Sequence, residues 1–226
     1  MDNFSAAHDA VSSLIDEKHR RIALVSNTRL NGSQEQLTSP VRERIDGYRA
    51  ALGEAGISID PSLIILGGWD EENLARQLHE LLSSSDRPTA FLAITSSVAL
   101  VLLKVLRELG LSIPKDISII SFDDADWTDA LTPPLTVVSQ PIRDLATAAA
   151  QDLIARLENE SSSSGEETLL HATLIKRGSV GKALTEPHWR APIGWSGLNV
   201  SAWSAVGPCG LCFPVRVDGI PVRYAA

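Results

Sequence analysis

The sequence predicts an α/β fold: a mostly parallel sheet with helices on both faces. Short apolar runs rich in β-branched residues recur at 21–26, 63–66, 90–94, 117–122 and 136–139, and they read as strands buried on both sides. Segments of helical period, roughly 12–16 residues long, separate most of them. That is the length a crossover between parallel strands requires. Glycines close two of these segments, Gly56 and Gly110, at the position just past a helix C-terminus where a left-handed residue is favoured.

The elements follow in order. Residues 4–16 carry Ala7, Ala10, Val11, Leu14 and Ile15 at helical spacing, with Asn3 or Ser5 available as cap. The strand Arg21–Ser26 comes next, and His19 at its entry is expected to be structural. Residues 27–39 are polar, and Asn31-Gly32 marks a turn. Pro40 suits the first turn of a helix running to about Ala55. Leu63–Leu66 is a strand followed by Gly67-Gly68, and 71–83 is a helix with Leu74, Leu78, Leu81 and Leu82 on one face. Strand 90–94 leads into an apolar helix at 96–109. Strands 117–122 and 136–139, a helix at 142–158 and a last strand at 169–175 complete the pattern. Ser161–Ser164 with Gly165 reads as a flexible linker.

Composition narrows the function classes. The 226 residues carry a net charge of -8 and 44% hydrophobic residues. An acidic chain of this kind lacks the basic face of a free-standing nucleic-acid binder. No stretch approaches the ~18 apolar residues of a membrane span, and MDNFSAAHDAV is not a secretory signal, so the expected compartment is the cytoplasm. From about residue 182 the character changes. Residues 183–226 hold three of the five Trp, five of the twelve Pro and both Cys, without clear periodicity. This atypical tail, 182–226, reads either as a read-through or frameshifted C-terminus, with disorder expected, or as a genuine small appendage with strands near 200–206 and 215–222.

The segment 117–140, ISIISFDDADWTDALTPPLTVVSQ, carries the strongest functional signal. A buried strand ends in Asp123 and Asp124, and a return strand ends at Gln140. Ligands of open α/β sheets sit outside the carboxyl ends of the strands. The two carboxylates do not converge, because neighbouring strand residues point to opposite faces. They therefore suggest ligand binding rather than acid–base catalysis or a metal pair. There is no nucleophile–base pair, no phosphate-binding loop and no HExxH, and Cys209-Gly-Leu-Cys212 is half of a zinc site at most. The chain is not expected to be an enzyme or to hold a cofactor or metal.

Taken together, HRRIALVS (19–26), GYRAALGEAGI (47–57), PTAFLAITSS (88–97), IPKDISIISFDD (113–124), PPLTVVSQPI (133–142) and LIKRGS (174–179) make the chain resemble the LacI/GalR family of transcription regulators, over about residues 2–181. The resemblance is to the effector-binding region, whose fold is that of the periplasmic-binding-protein-like type I proteins. It implies two lobes, a homodimer, a sugar or related small metabolite as effector, and operator DNA bound through an N-terminal helix-turn-helix that this chain lacks. It also implies that 1–19 and 140–167 are the remnant of a partial first lobe, while 20–139 and 168–181 form a complete second lobe. Helices at 4–16 and 142–158 would then lack most of the sheet they should cover, so poor solubility is expected.

The resemblance further implies site residues. Arg44 would reach effector oxygens with its planar fork. Trp69 would pack an indole face on the ligand. Asp123 would accept from ligand hydroxyls, Gln140 would face the cleft, and Ser5 is a weaker candidate that equally suits a cap. The family's usual Asn-Asp before the helix at 96–109 is Thr95-Ser96 here. Thr95 keeps a hydroxyl for the ligand, and Ser96 is expected to cap the helix. A family glycine is replaced by Val101, and Leu100 and Leu131 fall where family dimers meet. Two other readings stay open: a periplasmic sugar-binding protein feeding a transporter, and a non-functional remnant.

Overall fold

Strands β1 (Ile22–Ser26), β2 (Ile64–Leu66), β3 (Ala90–Ala93), β4 (Ser118–Phe122), β5 (Thr136–Ser139) and β6 (Thr173–Ile175) form one sheet in the order β2-β1-β3-β4-β5-β6. Strands β1 to β5 run parallel, and β6 returns antiparallel to β5. The computed structural model describes residues 1–28, 37–68, 70–157 and 169–183, together with two short ladder segments near the end of the chain. Residues Met1–Trp189 form one unit and Arg190–Ala226 a second. In the second, Arg216–Val217 pairs antiparallel with Ile220–Pro221, inside the predicted strand region 215–222. The strand expected at 200–206 lies outside the described residues.

The helices are α1 (Asn3–Asp16), α2 (Ser39–Glu54), α3 (Glu71–Ser83), α4 (Ser96–Glu108), the single turn α5 (Asp126–Asp129) and α6 (Ile142–Leu157). Side chains alternate across each strand, and the two faces of the sheet build two cores. Ala23, Val25, Phe91, Ala93, Ile119 and Val137 pack with Leu74, Leu78 and Leu82 of α3 and Val98, Leu102 and Val105 of α4. Ile22, Leu24, Leu92, Ile120, Phe122 and Val138 pack with Ala7, Ala10, Val11 and Leu14 of α1 and Ile45, Tyr48 and Leu52 of α2. Burial on both faces explains the near-continuous apolar runs of β1, β3 and β4.

One sequence expectation changes here. The family resemblance puts residues 1–19 in the partial first lobe, with a helix lacking its sheet. In the structure α1 shares its core with α2 and the sheet, and Ala7, Ala10, Val11 and Leu14 are wholly buried. Gly47 allows the close approach of α1 to α2: a Cβ there would stand 2.2 Å from the Phe4 carbonyl oxygen and 3.1 Å from the His8 nitrogen. The cap also differs. Neither Asn3 nor Ser5 caps α1; Asp2 does, its Oδ1 accepting from the Ser5 N–H at 2.9 Å. That bond lowers the Asp2 pKa.

The other boundaries agree to within one to four residues. Pro40 sits in the first turn of α2, and Gly56 and Gly110 close their helices at φ +66 and +67. Two short elements escaped the pattern. A 3₁₀ turn at Pro61–Leu63 is capped by Asp60, which also pairs with Arg21 at 2.8 Å. α5 lies in the loop after β4. Elements of three or four residues carry no periodicity to detect.

A buried polar lock ties the amino ends of the strands. His19 is 2% exposed. Its Nδ1 bonds the Thr89 hydroxyl at 2.8 Å, and its Nε2 faces the Ser118 hydroxyl and the Gly181 carbonyl, each at 3.0 Å. The structural role expected of His19 is observed. By contrast, the 16-residue α6 buries no side chain, and Ile142, Leu153, Ile154 and Leu157 are 53–73% exposed. Among the described residues no helix is long and apolar enough to cross a membrane, and no group of His, Cys, Asp or Glu is arranged to hold a metal.

These packing features have measurable consequences. Gly47→Ala forces α1 away from α2 and is expected to cost about 1–3 kcal/mol, as overpacked cores do; chemical denaturation measures it. Burial lowers the His19 pKa from 6.5, so the unfolded chain protonates first. The His19 contribution is therefore full above about pH 6.5 and is lost as pH falls below that. His8 has the opposite sign: burial opposes, but its bonds to Glu54 and Asp9 prevail and raise its pKa. Comparing wild type with His19→Gln between pH 7.5 and 5.5 isolates His19: the variant should lose the acid-side decline that His19 causes. Replacing Leu153 and Leu157 by Lys should raise the concentration at which the chain stays monodisperse in light scattering, with little change in Tm.

Candidate effector site

Parallel pairing places the carboxyl ends of β1, β3, β4 and β5 on one edge of the sheet, where Ser26, Ile94, Asp123 and Gln140 follow or end their strands. Asp123 leaves β4 in the left-handed region, φ +71, its N–H bonded to the Val138 carbonyl at 3.1 Å. Aspartate tolerates this backbone better than most residues, and such conformations cluster at ligand clamps. The turn aims the carboxylate at two donors. Oδ2 accepts from the Ser96 N–H at 3.2 Å, at the positive end of α4. Oδ1 accepts from Gln140 Nε2. Two predicted residues are thus in direct contact.

Arg44 comes to the same edge from α2. It is 7% exposed. Its Nη1 donates to the Ile94 carbonyl at 2.6 Å and its Nε to Asn3 Oδ1 at 3.0 Å. The Cζ stands 3.9 Å from the centre of the Phe122 ring, a cation–π contact. Burial lowers the Arg44 pKa, and Asp123 and Glu43 oppose that shift. Among the described residues no protein acceptor is bonded to Nη2, so this nitrogen is available to an oxygen-bearing ligand.

The remaining candidates separate. Thr95, not Ser96, caps α4: its Oγ1 accepts from the Val98 N–H at 3.3 Å, and the Ser97 hydroxyl lies at 3.3 Å. Thr95 is the last residue before the helix, where a side-chain oxygen reaches the orphan N–H groups of the first turn. Ser5 lies in the first turn of α1, its N–H held by Asp2, and no hydrogen bond joins it to the Arg44 or Asp123 groups among the described residues. Trp69 lies outside the described residues. Leu100 is 40% exposed on α4, whereas Leu131 packs partly buried on the α3–α4 core.

Asp124 serves a different set of partners from Asp123. Its Oδ1 accepts from Arg177 Nη2 at 2.8 Å and from the Thr128 hydroxyl at 3.2 Å. Arg177 also donates through Nη1 to Thr128 Oγ1 at 3.0 Å and to the Leu135 carbonyl at 3.1 Å, clamping the loop between β4 and β5. Sequence reasoning singled out neither Arg177 nor Asn3, Glu43 and Phe122 for the site. Their partners in these contacts lie 40 to 78 positions away in sequence, and no spacing rule reaches that far.

A doubly covered, mostly parallel sheet closed by one antiparallel strand is the architecture of the periplasmic-binding-protein-like class. Comparison with known proteins agrees: residues 11–180 match the periplasmic binding protein-like domain family. A probable opine utilization operon repressor of Rhizobium rhizogenes is 67% identical over 180 residues, which cover 80% of this chain and 91% of that protein. The HTH-type transcriptional repressor CytR of Escherichia coli (strain K12) is 34% identical over 179 residues, covering 79% of this chain. The chain spans about half, 50%, of the length of CytR. Among solved structures, a LacI family transcriptional regulator from Enterococcus faecium with bound ribose superposes with a TM-score of 0.71 at 29% identity. That match covers 81% of this chain and 65% of the other. The chain belongs to the LacI family of transcriptional regulators.

Proposed function

We propose that this chain is the effector-binding part of a LacI-type repressor, and that a small polar metabolite binds at the carboxyl ends of β3, β4 and β5. The convergence of Arg44, Asp123, Gln140 and the Ser96 N–H carries this reading. The ligand class is a sugar or a related metabolite. A buried guanidinium suits carboxylate or hydroxyl oxygens, and an aspartate accepts from hydroxyl or ammonium groups. Opines, conjugates of an amino acid with a sugar or keto acid, present both kinds of group, and the name of the Rhizobium relative supports testing them first. Thr95 borders the ligand, with Ser5 at the margin.

The lobe assignment is part of the same proposal. Residues 1–139 and 168–181 act as one lobe, because α1 shares the core of α2 and the sheet. Residues 140–167 are the remnant of the other lobe, and the uncovered α6 supports this. Leu100 and Leu131 lie at the dimer contact of the intact protein, which acts in the cytoplasm and catalyses no reaction. In the intact regulator, operator DNA is read by a helix-turn-helix. Effector binding shifts the protein between DNA-bound and released states through its different affinity for the two.

Thermal unfolding of the purified chain with octopine, mannopine and D-ribose tests the reading. A ligand that binds the folded state stabilises it by about 2.7 kcal/mol at a concentration of 100 Kd. At least one compound should raise Tm, and Asp123→Ala should weaken it on the order of 10- to 100-fold, the loss of one or two charge-assisted bonds. No shift with any compound, or equal binding by the variant, counts against the site.

A further inference from the structure

We propose that Asn3 is a positioning residue for the effector arginine, and that with Glu43 it sets which edge of the Arg44 guanidinium faces the ligand. The consequence for affinity rests on the effector reading above; the positioning itself does not.

Asn3 opens α1 and is 6% exposed. Its side chain makes three bonds at once. Oδ1 accepts from Arg44 Nε at 3.0 Å, while Nδ2 donates to Glu43 Oε2 at 3.0 Å and to the Met1 carbonyl at 3.1 Å. An amide is the group that offers an acceptor on one side and two donors on the other. The carboxylate on Glu43 and the carbonyl of Met1 dictate that Nδ2 faces them, so Oδ1 is left facing Arg44.

The guanidinium is then held at three places. Asn3 takes Nε, the Ile94 carbonyl takes Nη1, and the Phe122 ring lies under the plane at 3.9 Å. A planar group fixed at two of its nitrogens and one face cannot turn. Its Nη2 edge is presented in a single orientation, with no adjustment left to make when a ligand arrives. Asn3 touches no ligand atom in this scheme and acts through Arg44.

The chain entry adds a second constraint. Asp2, next to Asn3, donates its N–H to the Leu170 carbonyl at 2.9 Å and caps α1 with its side chain. Asn3 therefore follows an anchored residue as the chain enters α1. The start of α1, the returning segment before β6 and the arginine form one connected unit.

The test uses the whole 226-residue chain labelled with ¹⁵N-arginine, and it reads exchange of the Arg44 Nε–H with water by NMR. In wild type this proton should exchange slowly. Asn3→Leu should speed exchange at least tenfold while the backbone amides of β1–β5 keep their shifts. Asn3→Asp combined with Glu43→Gln retains the acceptor for Nε and restores a donor–acceptor pair between positions 3 and 43, so it should keep exchange slow, a rescue that a purely structural role does not produce. Glu43→Leu, on the half-buried rim, should speed exchange severalfold by freeing the amide, and it decides the matter if Asn3→Leu fails to fold. Unchanged exchange in both Leu variants overturns the proposal. The octopine, mannopine and D-ribose titrations on the same variants should show at least a tenfold weaker Kd for Asn3→Leu. Absence of binding by any of these compounds in wild type overturns the effector reading and leaves the exchange result standing.

Discussion

The close crossing of α1 over α2 at Gly47 is the constraint on which the rest of this lobe depends. Helices usually pack 8–10 Å apart, kept there by side chains. At Gly47 there is no Cβ, and the Phe4 carbonyl occupies that space. The consequence is felt one turn away. Asn3 comes within hydrogen-bond distance of Arg44, and the small residues Ala7 and Ala10 are wholly buried. A bulkier contact would lift the start of α1 off α2 and leave the guanidinium without its partner at Nε.

That partner matters because Arg44 is a buried cation. Removing a charge from water is costly unless the protein supplies bonds in exchange. Here the supply is mostly neutral: an amide oxygen, a backbone carbonyl and an aromatic face. Asp123 and Glu43 oppose the pKa depression from a distance and do not close a bidentate pair. The charge is kept, but the described residues do not saturate it with hydrogen bonds. Asp123 is managed in a similar way. The helix-end N–H of Ser96 and the amide of Gln140 satisfy its carboxylate, and neither is a fixed countercharge. A ligand can take over such neutral bonds at low cost, whereas a tight ion pair would compete with it.

Arg177 and His19 hold the rest of the sheet in register. Arg177 locks the loop between β4 and β5 to the strand that returns, and so holds Asp124 apart from Asp123. His19 joins three strand entries and the segment after β6 at Gly181 on the opposite edge from the candidate site. The two edges divide the labour: one edge is closed by buried hydrogen bonds, and the other leaves polar groups with capacity to spare.

Much of this was legible in the sequence. Strand and helix identity, the parallel sheet, the glycine stops and the position of Asp123 at a strand tip all follow from local pattern, because burial on both faces and helical crossovers leave a periodic trace. Arg44 and Gln140 became candidates through motif resemblance, since a lone arginine on a helix carries no mark of what it touches. The sequence alone separated α1 from the core it shares with α2, and named the wrong caps for α1 and α4. Capping turns on one backbone angle, and the core a helix joins turns on the face it meets. Only the tertiary structure decided those points, together with the contact of Asn3 with Arg44 and the clamp of Arg177. Each joins residues tens of positions apart, or on different helices, through side-chain geometry that exists only once the sheet has brought their elements together.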